Sequence, residues 1–149
     1  AYKTPKEYYF ATLSSEDRLV TRQPGDPKIS ENKQHGKGKL IYADGSVYEG
    51  DFVEGKKHGK GTFSWPDGRL YMGEFVKDIF QGEGTYIWSN KDRYQGNFIK
   101  GMPQGKGKYI HADGIKFEGI FRDGLPWRGQ EFDQEGRQIQ RYSFGKPVD

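Results

Sequence analysis

Written from His35 in rows of 23, the chain repeats itself four times without an insertion. The rows begin at His35, His58, Gln81 and Gln104, and the last closes at Pro126. A period this short marks a stacked array in which each repeat is one supersecondary unit that buries its apolar face only against its neighbours. Gly36 and Gly38 recur as Gly59 and Gly61, Gly82 and Gly84, then Gly105 and Gly107. Leu40 recurs as Phe63, Tyr86 and Tyr109, and beyond it stand Tyr42, Trp65, Trp88 and His111. A second run aligns Tyr48, Tyr71, Tyr94 and Phe117, then Gly50, Gly73, Gly96 and Gly119, then Phe52, Phe75, Phe98 and Phe121.

Within each run these positions lie two residues apart, which is the period of a strand and puts them on one face. The runs are joined by segments such as Trp65, Pro66, Asp67, Gly68 and Arg69, with proline, aspartate and glycine where a three-residue hairpin loop needs them. A two-residue turn would set Leu40 opposite Glu49 and throw the aromatic columns onto opposite faces. The three-residue loop pairs Leu40 with Tyr48, Phe63 with Tyr71, Tyr86 with Tyr94 and Tyr109 with Phe117, all on one side. It also sets Gly38 opposite Gly50 and Gly36 opposite Phe52, a bare floor over which rings can lie flat. The expected fold class is all-β, an elongated single-layer array of antiparallel β-hairpins.

Composition supports an array held by rings. Hydrophobic residues make up only 32% of the 149, yet aromatics reach 15% and there are 22 glycines. Each buried ring removes about 150–250 Å² from water, worth roughly 4–6 kcal/mol before entropy is charged. The opposite face is expected to be polar, with Lys37 facing Asp51, Lys39 facing Glu49, Lys60 facing Glu74 and Lys108 facing Glu118. Such cross-strand pairs contribute only about 0.2–1 kcal/mol each.

The Tyr-x-Gly-x-Phe run of Tyr48, Gly50 and Phe52, followed by the Gly-x-Gly-aromatic strand and Asp-Gly turn from His58 through Gly68, resembles the MORN repeat (membrane occupation and recognition nexus). The likeness spans residues 29–126. It implies twisted β-hairpin arrays of the kind found in radial-spoke heads of cilia, junctional membrane proteins, parasite cytoskeletal scaffolds and modules beside phosphoinositide kinases. It implies no activity of its own.

The ends depart from the pattern. Residues 1–28 do not repeat: Pro24, Gly25, Asp26 and Pro27 read as a linker. Tyr8 to Leu13 reads either as a strand covering the first hairpin's edge or as an arm that docks on a partner. Ile29 to Gln34 looks like the tail of a degraded repeat, with Asn32 and Asp78 in the column of Gly55, Gly101 and Gly124, where left-handed backbone is expected. Lys91 stands where the other loops carry glycine, through structural drift or through a contact at that turn. Residues 127–149 read as a shortened fifth repeat acting as a cap, since Gly124-Leu125-Pro126 recurs as Gly145-Lys146-Pro147.

Functional classes narrow by inventory. A net charge of +3 lacks the basic stripe of a nucleic-acid binder. There is no cysteine, the first residues lack a signal-peptide core, and no apolar run approaches a membrane span, so a soluble cytoplasmic protein is expected. The glycine-lysine stretch from Gly55 to Thr62 lacks phosphate-loop spacing. His35 and His58 share one column and His111 another, so neither a metal pair nor a catalytic triad arises. No enzyme activity, cofactor or metal is expected.

Two binding readings remain. In the first, the chain is a scaffold whose aromatic face (Tyr42, Trp65, Trp88, His111, Tyr48, Tyr71, Tyr94 and Phe117) receives partner proteins, with the first four least covered because they lie nearest the loops. The family resemblance places such a scaffold in a ciliary or other cytoskeletal assembly, and open sheet edges offer self-association. In the second, Lys37, Lys56, Lys57, Lys60, Lys106 and Lys108, with Lys39, attract anionic phospholipids such as phosphoinositides. That needs clustered cations without facing carboxylates.

Overall fold

The computed structural model describes residues 36–148, which form one sheet of antiparallel strands ordered as they occur in the chain. The strands are β1 (Gly36–Ile41), β2 (Val47–Val53), β3 (Lys56–Ser64), β4 (Leu70–Val76), β5 (Ile79–Ile87) and β6 (Arg93–Ile99). They continue as β7 (Met102–Ile110), β8 (Lys116–Arg122), β9 (Leu125–Phe132), β10 (Gln138–Ser143) and β11 (Lys146–Val148). The expected edge strand at Tyr8 to Leu13, the linker, the degraded repeat from Ile29 and the His35 position lie outside the described residues.

The hairpin register is the one the three-residue loop requires. Leu40 faces Tyr48, Gly38 faces Gly50 and Lys37 faces Asp51, and each later repeat keeps the same pairing. The Tyr42 amide donates to the Ser46 carbonyl at 2.9 Å across the first loop, and Trp65, Trp88 and His111 do the same in theirs. Lys91 takes φ 75° where Gly45, Gly68 and Gly114 take 93–96°, so the lysine adopts the loop's left-handed backbone rather than changing it. Asn90 accepts the Asp92 amide at 2.9 Å, as Asp67 accepts that of Arg69. The departure in the third repeat therefore leaves the loop's geometry intact.

Successive repeats are joined by a tighter device. Glu54 and Gly55 take φ 50° and 76°, Lys77 and Asp78 take 48° and 71°, and Lys100 and Gly101 take 52° and 79°. Two consecutive positive values make the two-residue turn whose twist matches that of the strands. Asp78 thus adopts the left-handed backbone expected of its column. Beside these turns the ladder slips: Gly50 pairs with Gly61 but Phe52 with Lys57, so His58, Gly59 and Lys60 together face Asp51. The Asp51 carboxylate accepts the Lys60 amide at 3.2 Å, and Glu74 accepts that of Glu83 at 2.6 Å, which pins each bulge.

The bulges and facing glycines between repeats bend the strands toward the aromatic side. Phe80 stands near the start of β5 and Trp88 just past its end, roughly 26 Å apart along an extended strand. Trp65, one repeat before Trp88, nevertheless has its ring centroid 6.4 Å from that of Phe80. The loop margin and the turn margin of the sheet meet here across the rings. Contacts also skip a strand, Tyr48 to Phe75 at 5.2 Å and Tyr71 to Phe98 at 5.3 Å, both edge to face. The core is this closed ring stack, and β9 to β11 carry the hairpin pattern on past the last full repeat, with Phe117 against Tyr142 at 5.4 Å.

Candidate interaction surface

The inner face is closed. Tyr42, Trp65, Trp88 and His111 are only 4%, 7%, 0% and 5% exposed. The expectation that they are the least covered is therefore corrected: folding of the strands swings the loop ends over the turn ends and seals the groove. Tyr48, Tyr71, Tyr94 and Phe117 are fully buried as well. Each tyrosine lies down along its own strand, its hydroxyl donating to the carbonyl three residues on, from Tyr48 to Asp51 at 2.7 Å, Tyr71 to Glu74 at 2.6 Å and Tyr94 to Asn97 at 2.7 Å. Burial, reinforced by nearby carboxylates, pushes all three phenols above their ordinary range. Phe117, without a hydroxyl, keeps the same floor position over Gly129.

Two polar clusters inside the core were not anticipated. Asp92 accepts the Tyr109 hydroxyl at 2.7 Å and the Ala112 amide at 2.8 Å, with His111 Nδ1 at 3.6 Å. Lys57 is buried under the rings of Tyr42, Tyr48 and Phe63, with Nζ 5.2–5.6 Å from their centroids and 3.4 Å from Asp78. This removes Lys57 from any lipid-facing set. Its signal lay in the columns: Lys57 aligns with Phe80, Pro103 and Pro126, all core-facing.

The remaining lysines stand on the outer face. Lys37 pairs with Asp51 at 3.0 Å, and Lys108 shares Glu118 with Lys116 at 3.5 and 3.3 Å. Hydrogen bonds from the Lys37 side chain and the Lys60 amide hold the Asp51 carboxyl below the usual range. Lys39, Lys56, Lys60 and Lys106 are exposed. Opposite charges thus interleave on this face, as the register requires.

The outer face is not merely polar, however. Val53, Val76, Ile99 and Leu125 stand there 41–46% exposed, one in each repeat. Across the joining turns they pair with Lys56, Ile79, Met102 and Arg122. The result is an apolar row along one margin, stepping once every second strand, about 9.6 Å. Met72 and Ile120 are exposed nearer the midline. There a groove of about 390 Å³ runs over the bare backbone of Gly107 and Gly119, between Gln95, Lys106, Glu118 and Ile120. Sequence reading missed this row because the lysine–carboxylate pairs dominate the same face, although Val53, Val76 and Ile99 share one column.

Among the described residues no cluster of three or more His, Cys, Asp or Glu side chains is placed to hold a metal ion. A family model described as the MORN repeat matches residues 29–47, 48–68, 71–93 and 94–116. A search of curated proteins gives no match.

Proposed function

The chain belongs to the MORN-repeat family, and from that premise we propose that it is a non-catalytic scaffold holding partner proteins against the outer face of its sheet, within a cytoplasmic assembly of the cytoskeleton or cilium. The observation that carries this reading is the row of exposed aliphatic side chains at Val53, Val76, Ile99 and Leu125, repeated once per hairpin. Contiguous apolar patches rimmed by polar residues mark interaction surfaces on soluble proteins, and Val76, Ile79, Ile99 and Met102 lie side by side on four adjacent strands. The rings that usually supply hot spots are consumed by the core, so aliphatic side chains and the groove must supply the contact. A sheet pinned by closed rings spends little ordering entropy when a partner docks. The cytoskeletal or ciliary setting rests on the company MORN arrays keep, radial-spoke heads among them.

Affinity capture from cell extract with mass spectrometry tests the reading, using the wild-type chain beside a Val76→Glu/Ile99→Glu variant of equal thermal stability. The wild type should retain a reproducible set of proteins that the variant loses. Equal sets would refute the outer-face assignment. Salt-sensitive sedimentation of the wild type with phosphoinositide vesicles, and no retained protein, would replace the scaffold reading with a lipid-binding one.

A further inference from the structure

Three times along the array, the side chain that opens a repeat bonds to the turn that follows it. His58 Nδ1 accepts the Lys77 amide at 3.4 Å, Gln81 accepts the Lys100 amide at 2.8 Å, and Gln104 donates to the Asp123 carboxylate at 2.7 Å. The corresponding pair in the last repeat is Trp127 and Phe144, whose rings meet edge to face at 5.8 Å. Phe144 occupies the turn position held elsewhere by Glu54, Lys77, Lys100 and Asp123, all charged. It takes φ 53° and leaves 64% of its surface in water. A bulky ring in left-handed backbone is rare, and the turn itself does not need one, since charged residues make it at the other four places. Where one repeat breaks a rule that its siblings keep, the position is a functional or a strained one.

The surroundings define what would bind. Arg122 lies over the Trp127 ring with Cζ 4.6 Å from its centroid, and Arg128 lies 5.7 Å from that of Phe144. A guanidinium held beside a ring still has its planar N–H fork to offer, the geometry that matches a carboxylate. Among the described residues, arginine ion pairs involve Arg69 and Arg137 but neither Arg122 nor Arg128. Lys146, two residues beyond Phe144, is exposed.

We propose that Arg122, Trp127, Arg128 and Phe144 form a site for a short acidic segment of a partner protein, which sets carboxylates on the two guanidiniums and one apolar side chain against the Phe144 ring. The site deepens the scaffold reading and rests on it. A bilayer would favour several rings exposed at one level. Here Trp127 is partly covered and Phe144 is the more exposed of the two rings, which fits a single aromatic anchor between acids.

The test is fluorescence anisotropy with a short labelled peptide of aspartate and glutamate around one leucine, beside the same peptide with lysine in place of the acids. The wild-type chain should bind the acidic peptide in a salt-sensitive manner and ignore the basic one. Trp127→Gln/Phe144→Lys restores the chemistry of the inner turns, so it should fold normally and bind at least about tenfold more weakly. Arg122→Gln/Arg128→Gln should lose a similar factor. Undiminished binding by the folded Trp127→Gln/Phe144→Lys variant, or no binding by the wild type, overturns the proposal. So does capture by phosphatidylserine vesicles without capture of the peptide. The Val76→Glu/Ile99→Glu chain should bind the peptide normally, so failure of the outer-face reading and failure of this site are distinguishable.

Discussion

The Tyr71 ring lies across Gly84 of the neighbouring strand, so closely that a methyl group on that glycine would fall 2.6 Å from the phenol oxygen. Phe80 stacks on the ring at 3.9 Å, and Phe75 and Phe98 close its edges at 5.0 and 5.3 Å, so the ring cannot retreat. Gly84→Ala should therefore cost about 2–3 kcal/mol by overpacking. Tyr71→Phe, which loses only the hydroxyl bond to Glu74, should cost about 1 kcal/mol. Urea denaturation measures both. Equal losses would mean that the glycine floor is not what seats the ring.

Lys57 and Asp78 bear on the core in a different way. Removing one partner strands a buried charge, so Lys57→Ala should destabilise the chain by about 3–5 kcal/mol. The array supplies its own repair: Phe80 and Pro103 occupy the Lys57 column, and Gly55 and Gly101 that of Asp78. Lys57→Phe with Asp78→Gly should lose less stability than Lys57→Phe alone, as a double-mutant cycle would record. Additive losses would show that the pair does not act as a unit.

The fold was legible in the sequence wherever a column repeated. Recurrence of Tyr48 as Tyr71 and Tyr94 set the hairpin register, and the Asp67-Gly68 step set the loop. Closure of the inner face was not legible, because period two tells which residues share a face but not whether that face folds shut. Closure depends on the bulge at His58 to Lys60 and on Gly61 lying against Gly50, which no single column announces. The Asp92 cluster with Tyr109 was equally hidden, since Ser46, Arg69 and Ile115 hold the same column in the other repeats.

Alkali should unfold the chain. The phenols of Tyr48, Tyr71 and Tyr94 are raised above the ordinary value of 10.0, by burial first and then by Asp51, Glu74 and Glu83. Their folded values exceed their unfolded ones, so the stability they contribute is complete below about pH 10 and drains away as pH rises beyond it. Tyrosinate absorbance at 295 nm and far-ultraviolet circular dichroism, followed together, should show these phenols ionising only as the sheet is lost. Complete titration of the chain's 10 tyrosines near pH 10, with the sheet intact, would contradict the buried phenols.

Lys91 holds φ 75° at a loop position filled by glycine in the neighbouring hairpins. Lys91→Gly should raise stability by about 0.5–1 kcal/mol, since relief of the left-handed backbone outweighs the added freedom of the unfolded chain. Thermal unfolding checks the sign. A stability gain together with loss of a captured partner would assign the lysine to a contact at that turn.

The scaffold account stands or falls on which face meets the partner, and the chain's two methionines, Met72 and Met102, both belong to the outer face. Peroxide oxidation of each, read by mass spectrometry in the free chain and in the captured complex, tests the account most directly. The account predicts that Met102, in the apolar row, and Met72, near the midline, oxidise readily when free and are protected in the complex. Oxidation of both at the free rate within the complex would contradict it.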